Sequence, residues 1–382
     1  LYACGGGGDV DSGTSMGGGA GSGGATSGGT GAGTSGGTGG ATSGGAGSGT
    51  GATGSGGTSG AGGSTASCKS TLPAPTYVDP KSAKELAIVG DPGAPGGIFD
   101  PSVEYPLNAP AGAMSYSRVV ASNDIQPRIA VSNDQGKTWT FVAEANQSKP
   151  ITVTVPPTST RCPGGTCSGR LVHEVSALVY DPDDADASRR WKLFTTSYVV
   201  LGKDQLAYDL GYIGLFTAAE PHLAWKDEGE AIGWKSESTF SSENAGTNAS
   251  LFPALADCAL LTEPDVMWRP GGLLELAIGC AKVGSPPTIR IELLRSLEHG
   301  KTFLYAGRLL EANDAFCLGG TVPQVNAAEL FRVQGKSYLI ATPAGPTPVV
   351  GTGYRGCFVF ELATGGTGVV RDAAGAPVVT RL

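Results

Sequence analysis

The chain has 382 residues, 26 basic against 34 acidic side chains, and a formal net charge of −8. Asp9 and Asp11 fall in the low-complexity first fifth, which leaves 26 basic against 32 acidic residues for the remainder. That mild acidity argues against a nucleic-acid or anionic-membrane surface, and no apolar run is long enough to span a bilayer as a helix.

The chain begins Leu1-Tyr2-Ala3-Cys4. A small residue before a Cys resembles the end of a bacterial lipobox. The resemblance implies a diacylated Cys4 and a lipid-anchored protein of the cell envelope, at the outer membrane or cell surface because Gly5 is not an Asp-type retention signal. The charged and apolar parts of such a signal are not in the chain. Residues 5–67 are almost wholly Gly, Ser, Thr and Ala. With so little to bury, this tract is expected to stay disordered, a tether with a root-mean-square reach of roughly 45 Å. Gly19-x-Gly21-x-x-Gly24 mimics a dinucleotide loop within it, but no strand precedes it and no helix follows, so it is discarded.

Residues 68–382 are expected to fold as one all-β domain. Helical periodicity is nearly absent; short apolar or alternating runs recur, punctuated by Gly, Pro, Asn and Asp. Four units are visible. The first has runs at 99–103, 117–121, 128–131 and 138–143; the second at 174–180, 191–198, 212–218 and 223–228. The third has runs at 264–269, 273–281, 288–294 and 303–309; the fourth at 326–332, 336–342, 355–362 and 378–381. Four strands in 50 to 90 residues is the period of a propeller blade. A fifth blade would come from residues 71–96 combined with the C-terminus, or from 229–261. The expectation is a β-propeller of five blades, with six blades or a β-sandwich as alternatives.

Between the third and fourth runs of the first unit stands Ser132-Asn-Asp134-Gln-Gly136-Lys-Thr138-Trp139. Asp-x-Gly between two strands is a hairpin signal: Gly supplies positive φ and Asp accepts backbone N–H groups. The pattern resembles the Asp-box of sialidase-like β-propellers. A degraded copy, 296–303, has Glu298 for the Asp and Phe303 for the Trp, and falls between the same runs of the third unit. In that family the box is a structural turn, so it implies fold and not activity. A sialidase would also need three arginines and a Tyr–Glu pair, and no Phe-Arg-Ile-Pro motif precedes the first unit.

Acids mark the start of the first run in every unit: Asp100, Glu174, Glu263 with Asp265, and Glu329. In a propeller these starts converge at the funnel mouth. Asp-Pro and Glu-Pro-Asp-Val resemble the strand starts of five-bladed glycoside hydrolases, whose site is three carboxylates from the first three blades. The resemblance implies Asp100 as base or nucleophile, Glu174 as the carboxylate that tunes and orients, and Asp265, or Glu263 on the same strand, as general acid. That family has Asp in the second place and Glu in the third, the reverse of Glu174 and Asp265. The chemistry is consistent: glycoside cleavage needs one carboxyl protonated and one ionised, and crowding pushes their pKa values apart. Arg118, Trp268, Arg269 and Glu329 are candidate substrate-binding residues, a Trp face being able to stack on a pyranose ring. The expected partner is a carbohydrate or cell-surface glycan, met by a monomer. The rival reading is a non-catalytic glycan- or protein-binding propeller.

No metal or cofactor is expected. Asp181-Pro-Asp183-Asp184-Ala-Asp186 is acidic enough for a structural Ca²⁺, but lacks EF-hand spacing and reads better as a solvated turn. Eight cysteines fit an oxidising compartment. With Cys4 lipidated, the pairs expected are Cys162–Cys167, Cys258–Cys280 and Cys317–Cys357, leaving Cys68.

Overall fold

The computed structural model describes residues 86–93, 97–107, 109–121, 124–155, 160–202, 205–234, 245–347, 351–354 and 356–380. Cys4, the tract 5–67 and Cys68 lie outside them.

The first sheet holds β1 (Ile88–Val89), β2 (Ile98–Glu104), β3 (Gly112–Ala121), β4 (Asp124–Ser132) and β5 (Trp139–Glu144), in the order β2-β3-β4-β5-β1. The second holds β6 (Lys149–Thr154), β7 (Thr166–Tyr180), β8 (Trp191–Leu201), β9 (Gln205–Ala218), β10 (Lys226–Gly233) and β11 (Thr247–Asn248), paired in chain order. The third is the four-stranded meander β12 (Leu260–Arg269), β13 (Leu273–Lys282), β14 (Thr288–Ser296) and β15 (Leu304–Leu310). After one short helix, α1 (Asp314–Cys317), the fourth sheet follows: β16 (Val325–Val333), β17 (Lys336–Thr347), β18 (Gly351–Tyr354) and β19 (Phe358–Glu361). β17 pairs with β16, β18 and β19, and Val379 bridges to Phe360.

The core lies between the sheets, as the inner faces of packed sheets require. Ala113 and Ile129 of the first meet Leu178, Leu193 and Phe216 of the second. Phe194 and Ile213 of the second meet Leu274, Leu276 and Phe303 of the third. Ala277 and Leu293 of the third meet Leu330, Leu339 and Phe360 of the fourth. The leading strands are neighbours in turn, β2 on β7, β7 on β12, β12 on β16. Consecutive meanders stacked through their leading strands make a β-propeller, as expected.

Of the segments from which a fifth blade would come, residues 71–85 lie outside the described residues. The described residues form four main sheets. Residues 88–89 serve as a parallel edge of the first sheet. Within 229–261, Gly233 ends β10, Thr247–Asn248 edges it, and Ala249–Leu251 and Pro253–Leu255 are single 3₁₀ turns. β6 was not anticipated, although Ile151 and Val153 alternate along it.

The turns after β4 and β14 share one geometry. Gly136 N–H donates to Ser132 Oγ at 2.8 Å and Gly300 N–H to Ser296 Oγ at 2.9 Å. Gln135-Gly136 and His299-Gly300 take φ of 59°, 79° and 56°, 84°. Thr138 N–H and Oγ1–H both donate to the Asp134 carboxylate; Thr302 Oγ1–H donates to Glu298. Trp139 and Phe303 are buried beneath their turns. Cys162–Cys167 and Cys258–Cys280 are bonded as expected, and no described cysteine is free.

Candidate active site

The same irregularity interrupts all four leading strands. Pairing to the second strand slips between Phe99 and Ser102, Glu174 and Ser176, Thr262 and Asp265, and Asn326 and Glu329. At each slip one non-Gly residue takes positive φ: Asp100 at 49°, Val175 at 44°, Glu263 at 48° and Ala327 at 52°. Each such residue costs on the order of 1–2 kcal/mol in isolation. Bulges of this kind bend a strand and re-aim its side chains, and they collect beside active sites. The seams hold them in place. Val175 N–H donates to Ser117 Oγ and Glu263 N–H to Thr196 Oγ1, both at 3.0 Å, and Ala327 N–H donates to Glu263 Oε2 at 2.6 Å.

This register sorts the predicted acids. Asp100 and Glu263 are equivalent, each the bulged residue of its strand and each followed by Pro. Glu174 stands one place earlier, beside the bulged Val175. Asp265 and Glu329 are equivalent to each other and to Ser102.

Electrostatics gives the same division. Glu174 is buried, and burial first, then the charges of Asp100 and Glu263, pushes its carboxyl up to about 8. Glu263 is raised to about 7 by burial and by Asp100, against the pull of the Ala327 N–H. Asp100 is raised to about 6 by burial. Asp265 is raised by burial and by Glu329 and Glu104, while the Leu330 and Val266 N–H groups favour its ionised form. Glu329 rises to about 7 and Glu104 to about 8, both through burial. Two groups result, Asp100–Glu174–Glu263 and Glu104–Asp265–Glu329. Acids of the first sheet act on those of the third, although the two sheets are not neighbours. Asp100, Glu104, Glu263 and Glu329 keep some contact with solvent. None of the six forms an ion pair with Lys or Arg among the described residues.

Sequence reasoning missed Glu104. It lies four residues after Asp100 on β2, and period-two alternation from that acid is the signal that could have found it.

No protein-family model and no curated protein matches the chain. Solved structures resemble it in outline. An exo-1,5-α-L-arabinanase from a bovine ruminal metagenomic library is 12% identical, with a TM-score of 0.44 over 76% of this chain and 80% of that one. The Bombyx mori GH32 β-fructofuranosidase is 16% identical, with a TM-score of 0.45 over 72% of this chain and 48% of that one. A Hadza microbial sialidase is 11% identical, with a TM-score of 0.42 over 73% and 47%. The chain thus spans about half the length of the last two.

The other predicted residues stand apart from the acids. Arg118 ion-pairs with Glu144 at 3.7 Å, in a network that also holds the buried Arg128 and Asp91. Its neighbour Ser117 faces the second sheet, so strand alternation turns Arg118 to the opposite face. Trp268 and Arg269 are at the hairpin end of β12, five and six residues beyond Glu263, roughly 16–20 Å along a strand. Trp268 Nε1–H donates to Asp183 Oδ2 at 3.2 Å. Arg269 Nε–H donates to Glu275 Oε2 at 2.5 Å. These are blade-packing partners. Of the four substrate-binding candidates, only Glu329 faces the acids.

The Asp181–Asp186 turn is the solvated turn expected only at Asp183, Ala185 and Asp186. Asp181 and Asp184 are buried, and with His299 they make a cluster whose geometry could hold a metal ion. The buried ammonium of Lys192 supplies the positive charge there, 2.6 Å from Asp184 Oδ2 and 3.7 Å from Asp181 Oδ2. Asp183 Oδ2 accepts the Gly271 and Gly272 N–H groups, so this turn locks the second sheet to the third. His173 points away from the acids: it is buried, bonds Ser197 Oγ at 2.8 Å, and burial depresses its pKa to about 3.

Proposed function

We propose that this chain is a carbohydrate-active propeller that hydrolyses glycosidic bonds with Asp100, Glu174 and Glu263. The observation that carries the reading is the shared bulge that sets Asp100, Glu174 and Glu263 at or beside equivalent positions on the leading strands of three sheets; burial raises their carboxyls to about 6, 8 and 7. Near pH 6.5 Asp100 is mostly ionised while Glu263 and Glu174 are mostly protonated. Asp100 then serves as base or nucleophile on the anomeric side. Glu263, which keeps contact with solvent, donates a proton to the leaving oxygen in preference to the buried Asp265. Glu174, protonated beside both, lets Asp100 ionise without a second neighbouring charge. Glu104 and Glu329, at about 8 and 7, are also mostly protonated there, which leaves the Asp100 carboxylate as the charge that favours an oxocarbenium-like transition state.

The shared turn geometry at 132–139 and 296–303 supports the sialidase-like Asp-box as a structural element of this fold. For location, the Ala3-Cys4 step and the Gly/Ser/Thr tract support a lipid anchor at the outer membrane or cell surface. Mass spectrometry of the N-terminal peptide should find diacylglycerol on Cys4; an unmodified thiol ends that part of the reading.

A non-catalytic glycan- or protein-binding propeller is the second reading. It is favoured by the structural tasks of two acids, since Glu263 and Asp265 each hold a backbone N–H of the next sheet. Screening the protein on aryl-glycosides, with Asp100→Asn as control, separates the two. Turnover lost in Asp100→Asn supports hydrolysis; glycan binding without turnover on any sugar supports the binding module.

A further inference from the structure

The seams between sheets follow one rule, with one exception. Ser117 and Thr196 share a register position, each opposite the residue just before the bulge, Phe99 and Glu174. Each uses its hydroxyl to accept the bulged N–H of the following sheet. In the third sheet that position, opposite Thr262, is Gly279. No hydroxyl is present, and the Ala327 N–H turns to Glu263 Oε2 instead. A Cβ on Gly279 would meet Thr262 Cγ2 at 3.0 Å and Thr262 O at 3.1 Å, so a small side chain fits only if Thr262 gives by a few tenths of an ångström. Asn326 Oδ1, in the residue just before Ala327, would be 3.7 Å away, so a hydroxyl grown here heads for the same seam.

We infer that Gly279 is a positioning residue for Glu263: by withholding a hydroxyl from the third seam it commits Oε2 to the Ala327 amide and leaves Oε1 as the oxygen that carries and delivers the proton. A carboxylic acid accepts through its carbonyl oxygen and donates through the other, so an amide fixed on Oε2 selects which oxygen bears hydrogen. The proton donor is thereby oriented without any side chain spent on holding it. The consequence for turnover rests on the hydrolase reading; the hydrogen-bond switch does not.

The test substitutes Gly279→Ser, with Gly279→Ala as the steric control, and follows carboxyl titration by ¹³C NMR, with Glu263→Gln to assign the resonance. In Gly279→Ser the new hydroxyl takes the Ala327 N–H, and the Glu263 midpoint rises by roughly 0.5–1 pH unit, the effect of losing one hydrogen bond to the charged form. Gly279→Ala leaves it in place. The alkaline limb of the pH–rate profile should move up with the Ser variant alone. Equal shifts in both variants, or a folded Gly279→Ser with an unmoved midpoint, overturn the inference. Should neither variant fold, the unsubstituted protein decides. The Ala327 amide resonance must titrate with Glu263 while the Val175 amide, bonded to Ser117, does not follow it; an Ala327 amide indifferent to Glu263 overturns the inference. A shifted midpoint in a protein that turns over no glycoside leaves Gly279 standing and removes the hydrolase reading.

Discussion

Replacing Glu174 with Gln should make this protein more stable, and more so as pH rises. The folded state holds Glu174 at about 8 against an ordinary 4.5, chiefly because burial disfavours its charged form. A carboxyl raised in this way binds more protons folded than unfolded, so stability declines as pH climbs from about 4.5 to about 8. At pH 5 the site costs the folded protein about 1 kcal/mol, and at pH 8 about 4 kcal/mol. Gln keeps the shape and an acceptor for the Tyr198 side chain that bonds Glu174, and carries no charge at any pH. The neighbours Asp100 and Glu263 also ionise more easily once it is neutral, which acts in the same direction. Urea denaturation of both proteins at pH 5 and pH 8 reads the effect, with the gain expected to grow by roughly 3 kcal/mol between them. A variant no more stable than the parent at pH 8, or a difference that ignores pH, would show that Glu174 is not held protonated. The gain in stability should accompany a loss of turnover.

Three further outcomes follow from the same geometry. The pH–rate profile should be a narrow bell, its acid limb near 6 from Asp100 and its alkaline limb near 7 from Glu263, read as macroscopic values of a coupled group; a broad plateau from pH 5 to 9 would contradict the assignment. Glu263→Gln should lose about 10²-fold or more on glycosides with poor leaving groups and little on dinitrophenyl glycosides, which need no proton; equal losses on both would deny it the acid role. Lys192→Met leaves Asp181 and Asp184 buried without their ammonium and should cost about 3–5 kcal/mol in a urea melt; a neutral result would show that the turn does not depend on that charge.

Much of the fold could be read because strands alternate and turns have chemistry. The hairpins at 132–139 and 296–303 were legible from Asp-x-Gly and its decayed copy, and β12 to β15 from apolar runs between Gly-rich turns. Asp100 and Glu263 were legible because each stands before a Pro at the start of an apolar run. Choosing between Glu263 and Asp265 was not legible, since it depends on how deeply the packing between sheets buries each carboxyl. The partners of Arg118, Trp268 and Arg269, namely Glu144, Asp183 and Glu275, were not legible for a similar reason: they are set by strand register and packing between sheets, not by sequence proximity. Gly279 carries its meaning only when aligned with Ser117 and Thr196, and that alignment comes from strand pairing.

The claim at the centre of this account is that the acids of the leading strands are where a sugar reacts. A crystal structure with the iminosugar matching the best aryl-glycoside substrate tests it directly. The ring nitrogen, which stands in for the charged anomeric centre, should lie about 3 Å from the Asp100 carboxylate, with Glu263 Oε1 facing the leaving-group side. An iminosugar bound beside Trp268 or Arg269, away from these acids, would contradict it.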